Sequence, residues 1–541
     1  MAKQYFVLGI GGTGMRCIES LIHLCAMGMF DDTEIHLLAL DTDVNNGNFG
    51  RLKAVKDAYN KAKGGNNNSQ VALNNTFFSA KINYYQFSPD YQKNRTFSAV
   101  FNYGNTKFNN KAAADLADLV FTNDVEDFDL LHGYRAQTHL GSMMMYHSIV
   151  EEAKAPLPND LKKFIAQLVS ATQSGITPRV FILGSVFGGT GASSIPIIPK
   201  ALADAASVMG QGGTNILANC YFGSTLLTAY FSFPTPTAAQ ILQDKVVATS
   251  DKFALNSQAA MMFYDDDTTV KSTYQKFYML GTNNLNWIPM PNYPGTTTIT
   301  GGQGQKNDSH FIELLAACAA LDFLNEKDST LQTNKSNVAT DYVCRTDYVC
   351  RIVDSKFNFE DFAGTPRAME FAQKIGMLLV FALFCNGTDD FVESVRSGGH
   401  KDIQEFCSMP TAQVIALKEY FNYFFCRKNG SGELAEGWIR QIHRSAGSGD
   451  HFLFDAGMFT ASDMKSLMAT DWNKKLFRSD DIAKDKKYTY GLFKKGKSKF
   501  DRFKIEFIKT RDNNKEWEKI TDKGEQLYKL IFDTLKSLYN F

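Results

Sequence analysis

The sequence predicts an α/β fold in which a parallel sheet carries helices on both faces. Residues 4–9 form an apolar strand pattern, residues 9–14 a glycine turn, residues 15–29 a helix with apolar side chains at helical spacing, and residues 34–41 a second apolar strand. Strand, helix and strand in this order make a right-handed βαβ unit with parallel strands. A second glycine turn follows another apolar strand at 180–184, so the unit is repeated along the chain.

Later elements continue this alternation of helix and buried strand. We predict helices over 140–152, 194–209 and 309–324, one or two helices within 237–263, and strands over 216–222 and 277–281. Residues 44–130 show a weaker pattern that includes an Asn/Gly-rich run at 64–69. We expect a loop or a large insertion there.

The length of 541 residues favours more than one domain. We predict a nucleotide-binding domain over 1–325 and a C-terminal α+β domain over 326–541 with a basic helical tail. A tandem hexapeptide at 340–351 suits a duplicated strand, and we attach no function to it. The excess of basic residues in the tail predicts a solvated basic face or a docking surface for an acidic partner. Its cations are Lys474, Lys475, Arg478, Lys484, Lys486, Lys487, Lys494, Lys495, Lys497, Lys499, Arg502 and Lys504.

Composition excludes several classes of protein. The formal net charge is +0 and the pI about 7.1, which gives no support to a nucleic-acid partner. The first residues lack the features of a secretory signal, and the apolar runs are shorter than the ~20 residues that cross a bilayer. The nine cysteines and nine histidines form no disulfide framework and no zinc spacing. We therefore expect a cytoplasmic protein without a membrane span or a metal held by side chains alone.

The first glycine motif is Gly9-Ile-Gly11-Gly12-Thr13-Gly14, between a strand and a helix. Backbone N–H groups and the helix dipole at such a turn bind phosphate, and glycine lets the phosphate approach the backbone. The motif alone is weakly specific, because dinucleotide-binding folds open with the same pattern.

The second glycine motif is Phe187-Gly188-Gly189-Thr190-Gly191-Ala192-Ser193, again between a strand and a helix. It resembles the signature loop of tubulin, G-G-G-T-G-[ST]-G, with Phe187 in place of the first glycine and Ser193 in place of the last. The chain is therefore identified by resemblance with the tubulin/FtsZ superfamily, whose fold is a parallel Rossmann-like GTPase sheet followed by a second α/β domain.

Two further segments fall in the order of the same superfamily. Ala39-Leu-Asp-Thr-Asp43 is similar to the FtsZ segment A-V-N-T-D, and the stretch 133–141 is similar to the loop G-A-G-A-N-P-x-V-G that senses the γ-phosphate. The resemblance implies GTP or GDP with Mg²⁺ as the ligand. The residues that it assigns to the nucleotide are Gly11, Gly12, Thr13, Gly14, Asp41, Asp43, Arg135, Ala136, Gly188, Gly189, Thr190, Gly191 and Ala192.

The resemblance also implies a base contact and a catalytic acid. Asn256 is the best match to the Asn that reads the base, with Asp251 or Asn219 as substitutes. Asp308 and Glu313 are the candidates for the acidic loop that completes hydrolysis in the adjacent subunit, although Asp308 also suits a helix N-cap. Such a protein would assemble with itself into filaments.

Two alternatives stay open. The first is a tubulin-fold protein that binds nucleotide without turnover and serves as a scaffold. The second is a dinucleotide-dependent oxidoreductase, in which Asp41 would be the acid that binds the ribose.

Overall fold

The computed structural model describes most of the first 336 residues and shorter stretches beyond them. The described residues are 3–30, 33–64, 76–127, 129–134, 137–175, 177–211, 215–231, 237–239, 242, 249–281, 302–305, 307–336, 347–352, 370, 371, 374, 375, 377, 378, 381, 411–424, 426–428, 434–445, 499–521 and 523–538.

A seven-stranded sheet forms the centre of the molecule, and each pair of neighbouring strands in it is parallel. The strand order is β3-β2-β1-β4-β5-β6-β7. The strands are β1 Lys3–Ile10, β2 Thr33–Leu40, β3 Lys81–Phe87, β4 Arg179–Leu183, β5 Tyr221–Leu227, β6 Tyr274–Gly281 and β7 Asp347–Ile352. A separate antiparallel pair is made by β8 Cys426–Lys428 and β9 Leu434–Glu436. The α/β fold with a parallel sheet is confirmed.

Helices connect and cover the strands. Those of the first half are α1 Gly11–Ala26, α2 Gly47–Lys63, α3 Phe97–Val100, α4 Tyr103–Asn109, α5 Lys111–Val120, α6 Asn123–Glu126, α7 Thr138–Lys154, α8 Asp160–Gln173, α9 Gly189–Ser194, α10 Ile198–Ala206 and α11 Ile216–Asn219. Those that follow are α12 Phe253–Asp266, α13 Thr268–Thr273, α14 Phe311–Leu324, α15 Asp328–Ser336, α16 Thr411–Phe424, α17 Trp438–Ser445, α18 Lys499–Asn513 and α19 Lys523–Leu538.

The sheet separates two apolar cores, as expected for helices on both of its faces. Successive side chains of a strand point to opposite faces. Accordingly Tyr5 and Val7 of β1 belong to the core shared with α1, α2 and α14, whereas Phe6 and Leu8 belong to the core shared with α7, α8 and α10. Burial on both faces explains why β1 and β2 are almost continuous apolar runs.

Helix α14 lies in the middle of the first core. It packs against α1, β4, β5 and β6, and its residues other than Asp322 are buried. A helix that is apolar on all sides needs such an enclosed position. The sequence predicted this helix over 309–324, which is confirmed.

Segments near the C-terminus pack directly on the helices that follow β1 and β2. The indole of Trp438 on α17 donates a hydrogen bond of 2.9 Å to Ser20 on α1. The hydroxyl of Tyr528 on α19 donates one of 2.7 Å to the carbonyl oxygen of Ala62 on α2. Strand β7 adds to the sheet, so residues beyond the predicted boundary at 325 also contribute to it. This strand covers most of the second copy of the hexapeptide, and the first copy lies outside the described residues.

Two predicted elements differ from the structure in type or in bounds. Residues 216–222 were expected to be a strand, but α11 forms first, with the Asn215 side chain accepting from the backbone N–H of Ala218, and β5 begins at Tyr221. The helix predicted over 194–209 does form, as α10, but it begins only at Ile198, because α9 ends at Ser194. Pro196 and Pro199 lie at this break, where proline removes backbone donors.

The segment 44–130 holds more regular structure than its pattern indicated. Helix α2 packs against α1, and β3 forms the edge of the sheet beside β2. The pattern was weak because β3 is an edge strand with several partly exposed side chains and α2 carries many charged residues.

Candidate functional site

The two glycine motifs lie next to each other in the structure. The first joins β1 to α1 and the second follows β4, and these two strands are neighbours in the sheet. The chain order reverses between them, because β2 and β3 lie on one side and β5 to β7 on the other. In open parallel sheets, ligands bind at the carboxyl ends of strands at this kind of switch point.

The first glycine loop is built for close contact between its strand and its helix. A Cβ on Gly14 would lie 2.5 Å from the carbonyl oxygen of Leu183 on β4 and 2.6 Å from the carbonyl carbon of Gly9, so only glycine fits. Gly11 has a φ of +67°, a conformation that L side chains rarely adopt. A Cβ there would meet only Thr190, at 3.9 Å. The Gly11 backbone therefore faces the second glycine loop across a gap.

The second glycine loop begins with Phe187, where the tubulin signature has a glycine. Phe187 is 3% exposed and packs in an aromatic cluster with Phe253, Phe231 and Tyr230, at ring-centroid distances of 4.6, 5.4 and 6.1 Å. Its side chain therefore lies in the first core. Gly191 is required, because a Cβ there would lie 2.3 Å from the carbonyl oxygen of Ser185.

The segment 133–141 lies against the second glycine loop and the loop after β2. A Cβ on Gly133, whose φ is +90°, would lie 3.4 Å from the Thr42 hydroxyl and 3.9 Å from the Thr190 hydroxyl. A Cβ on Gly141 would lie 2.6 Å from the Ser193 hydroxyl. The serine that replaces the last glycine of the signature thus packs against α7. Arg135 and Ala136, both predicted to contact phosphate, lie outside the described residues.

Three helices begin at this edge of the sheet without a side-chain cap. The N-cap residues of α1, α7 and α9 are Ile10, Gln137 and Gly188, and none accepts a hydrogen bond from the first turn through its side chain. Helices α2 and α14 begin at the same edge but are capped, by Asn46 and His310. Uncapped first-turn N–H groups need partners, and an anion supplies them. The polypeptide therefore offers convergent donors where the predicted phosphates would lie.

The loop after β2 is held by its own side chains. Asn46 donates hydrogen bonds of 2.7 Å to Asp41 and to the side chain of Gln305. Asp43 accepts from the backbone N–H groups of Asn45 and Gly302. Burial raises the pKa of Asp41 to about 6, although hydrogen bonds to its carboxylate oppose the shift. Both predicted acids thus lie beside the glycine loops and are engaged within the loop.

A buried ion pair lies beneath the first glycine loop. The Arg16 Nε donates a 2.7 Å hydrogen bond to Glu313, and the Tyr230 hydroxyl donates one of 2.5 Å to the same carboxylate oxygen. Burial alone would lower the pKa of Arg16, but the charges and hydrogen bonds of Glu313 and Tyr230 together outweigh burial and raise it. Arg16 is therefore a fixed cation within the first two turns of α1.

The two candidate catalytic acids have different surroundings. Glu313 is fully buried, and its second oxygen accepts from the backbone N–H of His310, which completes the cap of α14. Asp308 is half-buried and is not the N-cap of α14, so that interpretation was wrong. Its segment is anchored by Arg51, which donates 2.9 Å hydrogen bonds to the carbonyl oxygen of Asn307 and to the Ser309 hydroxyl.

The three candidates for the base contact lie in different parts of the structure. Asn256 lies on α12, half-buried, with its amide donating to the carbonyl oxygen of Phe187 at 3.4 Å. It is therefore next to the second glycine loop. Asp251 precedes α12 and is exposed. Asn219 lies before β5, at the opposite edge of the sheet, so it is too distant to substitute for Asn256.

Several residues around the loops were not predicted from the sequence. They are Arg16, Asn46 and Asn48. Arg16 follows Thr13 by three positions on α1, a spacing that places both on one helix face. That spacing could have indicated a polar pair beside the glycine motif.

No group of three or more His, Cys, Asp or Glu side chains is placed to hold a metal ion in the part of the chain that the structure describes. Within the same part, no helix has the length and apolar composition that a membrane span needs. Comparisons with family models, curated proteins and solved structures gave no match to this chain.

Proposed function

We propose that this chain binds the phosphates of a nucleotide, GTP or GDP, at the edge of the sheet where its two glycine loops meet. The main support for this proposal is the short distance between the two glycine loops. Gly11 of the first loop faces Thr190 of the second at 3.9 Å from its Cβ position, and both loops open uncapped helices. Two facing sets of backbone donors suit a chain of phosphates better than a single anion.

The electrostatics of the site support an anionic ligand. Helices α1, α7 and α9 direct the positive ends of their dipoles toward the gap between the loops. The Arg16 guanidinium lies on the first of these helices, beside Gly12. Asp41 lies in the neighbouring loop after β2, and its raised pKa, caused mainly by burial, favours its neutral form at mildly acidic pH.

The choice of GTP depends on the resemblance to tubulin and FtsZ. Asn256 beside the second loop supports it, because an amide offers the donor and acceptor that a purine edge pairs with. Mg²⁺ would be held mainly through phosphate oxygens and water. Asp41 and Asp43 already accept hydrogen bonds from the chain.

We further propose that hydrolysis, with self-assembly, depends on Asp308. This acid is half-buried, whereas Glu313 is enclosed within its own chain. In the proposed reaction water attacks the γ-phosphorus, its bond to the bridging oxygen breaks, and GDP and inorganic phosphate leave. Asp308 of one subunit would accept the proton of the water in the site of its neighbour.

A dinucleotide remains the second candidate, because Gly9, Gly11 and Gly14 have the packing roles of the dinucleotide fingerprint and Asp41 follows β2. Two observations disfavour a dinucleotide. A dinucleotide needs only one glycine loop, and the Asp41 carboxylate already accepts a hydrogen bond from Asn46. A chain that binds GTP without turnover is the third outcome.

The test is a titration of the purified chain with GTP, ATP and NAD in Mg²⁺, together with light scattering and phosphate release. Asp308→Ala is compared with Asp266→Ala, an exposed acid on α12. GTP-dependent scattering and release, lowered at least about 100-fold by Asp308→Ala alone, supports an assembling GTPase. GTP binding without either signal supports a scaffold, and binding of NAD but not GTP contradicts the proposal.

A further inference from the structure

The Arg16 side chain combines deep burial with an unused donor. It is 3% exposed, its Nε is bonded to Glu313, and its Nη2 reaches Tyr230 at 3.4 Å and Thr13 at 3.5 Å. Its Nη1 makes no hydrogen bond to any residue that the structure describes. A guanidinium has five N–H groups in a planar fork, so the fork is held at one side and open at the other.

The open side of the fork is aimed at the first glycine loop. A Cβ on Gly12 would lie 3.4 Å from Arg16 Nη1 and 2.9 Å from the amide nitrogen of Asn48. Asn48 is 2% exposed, and its amide oxygen is a buried acceptor without a partner among the described residues. Arg16 Nη1 and the Asn48 amide oxygen are therefore both without a partner among the described residues, although buried polar groups are normally hydrogen-bonded.

The Asn48 amide presents its nitrogen, not its oxygen, beside Gly12. Asn48 Nδ2 already donates to Asn46 and to the Gln305 carbonyl oxygen, at 2.9 and 3.0 Å, and nitrogen donors cannot accept from Arg16. The space beside Gly12 carries no side chain, because Gly12 has none. Gly12 belongs to the first turn of α1, so Nη1 lies beside the first-turn N–H groups that would bind a phosphate oxygen.

We propose that Arg16 is a ligand contact, which donates from Nη1 to a phosphate oxygen bound on the first glycine loop. This inference rests on the proposed function and names a residue that neither glycine motif contains. Glu313 and Tyr230 act as positioning residues, because they fix the other side of the fork. An arginine already held by its own ion pair loses little conformational freedom when the ligand binds.

The test compares Arg16→Lys with Arg179→Lys, a matched change at the start of β4, in titrations with GTP and with inorganic pyrophosphate. Lysine keeps the charge that Glu313 requires but lacks the second arm of the fork. Arg16→Lys should weaken binding of both probes by the same factor, at least about 10-fold, because one charge-assisted hydrogen bond is lost. Arg179 pairs with Asp328 at the opposite edge of the sheet, so Arg179→Lys should stay within about 3-fold of the wild type.

The outcomes separate this inference from the proposed function. A wild-type chain that binds neither GTP nor pyrophosphate contradicts the proposed function. Wild-type binding that Arg16→Lys leaves within about 3-fold overturns the role of Arg16 and leaves the proposed function standing. A loss confined to GTP, with pyrophosphate unaffected, also overturns it, because the contact would then lie on the nucleoside.

Two further measurements cover a variant that fails to fold. Arg16→Met combined with Glu313→Leu removes both charges together, and such paired replacements of buried ions often keep the fold. Its binding of pyrophosphate should fall as in Arg16→Lys. A crystal structure of the wild-type chain with GTP requires no variant: a phosphate oxygen within hydrogen-bond distance of Arg16 Nη1 supports the inference, and one beyond about 5 Å overturns it.

Discussion

The Arg16 guanidinium and the Glu313 carboxylate meet at 2.7 Å in the protein interior, although 297 residues separate them in the chain. Arg16 belongs to the helix that follows the first glycine loop, and Glu313 caps the start of the central helix α14. The phosphate side of the candidate site and the segment that carries Asp308 are therefore joined by one ion pair.

Loss of one partner of this pair should destabilise the fold strongly. We expect Glu313→Gln to lower the free energy of unfolding by about 3 kcal/mol, because it leaves Arg16 as a buried charge without its counterion. The matched control is Glu419→Gln, which removes the exposed pair with Lys61 and should cost less than about 1 kcal/mol. Urea unfolding measures both. Equal losses for the two variants would contradict the role assigned to Glu313.

The second glycine loop offers two glycines with opposite expectations. Gly191→Ala should lower the free energy of unfolding by about 2 kcal/mol or more, because the Cβ would overlap the carbonyl oxygen of Ser185. Gly188→Ala should change it by less than about 1 kcal/mol. Its Cβ would meet only the Ser185 hydroxyl, at 3.5 Å. Urea unfolding measures the loss in both variants. A larger loss for Gly188→Ala than for Gly191→Ala would mean that the loop has another conformation.

Replacing Phe187 by the glycine that the tubulin signature has at this place should destabilise this protein. Phe187→Gly would remove a buried ring from the aromatic cluster with Phe253 and Tyr230, at a cost of about 3–5 kcal/mol. Phe263→Gly is the matched change on α12, where the ring is 51% exposed, and should cost less than half as much. Thermal unfolding compares the two. A more stable Phe187→Gly would show that the ring is not part of the core.

Stability should depend on the ionisation of Asp41. Its pKa of about 6 in the folded chain lies above the ordinary 3.8, so between these values the folded chain holds a proton that the unfolded chain has released. This contribution is present below pH about 4 and is lost as pH rises through about 6, a change of about 3 kcal/mol. Urea unfolding from pH 4 to pH 7 should show the decline in the wild type.

Asp41→Asn should remove that part of the pH dependence, because an amide does not titrate. Asp266→Asn alters an exposed acid and should keep the wild-type slope. If wild type and Asp41→Asn have parallel profiles, the Asp41 carboxyl is not the group that takes up the proton.

The central strands and their glycine turns could be predicted because both faces of the sheet are buried. Strands β1, β2 and β4 then read as apolar runs, and the glycines at 14 and 191 are fixed by backbone contacts that no other residue allows. The edge strand β3 and the capped turn at α11 could not be predicted in the same way. Partial exposure weakens the first pattern, and a local Asn215 cap decides the second.

The candidate site could be predicted only where it is local in sequence. Both glycine motifs are continuous, and the strand order brings them together. The pairing of Arg16 with Glu313, and the network of Asn46 with Gln305, join residues far apart in the chain. The spacing of apolar and polar residues along the sequence does not indicate such long-range contacts. The position of Phe187 in the core also needed the aromatic rings of α12 and of Tyr230.

Hydrogen exchange with and without GTP measures the protection of the backbone N–H groups to which the phosphates are proposed to bind. We expect slower exchange in peptides that cover residues 11–14 and 188–192 when GTP and Mg²⁺ are added to the wild-type chain. The exposed helix α5 serves as the internal reference and should not change. Unchanged exchange in both glycine loops at saturating GTP, or protection confined to other segments, would contradict nucleotide binding at this site.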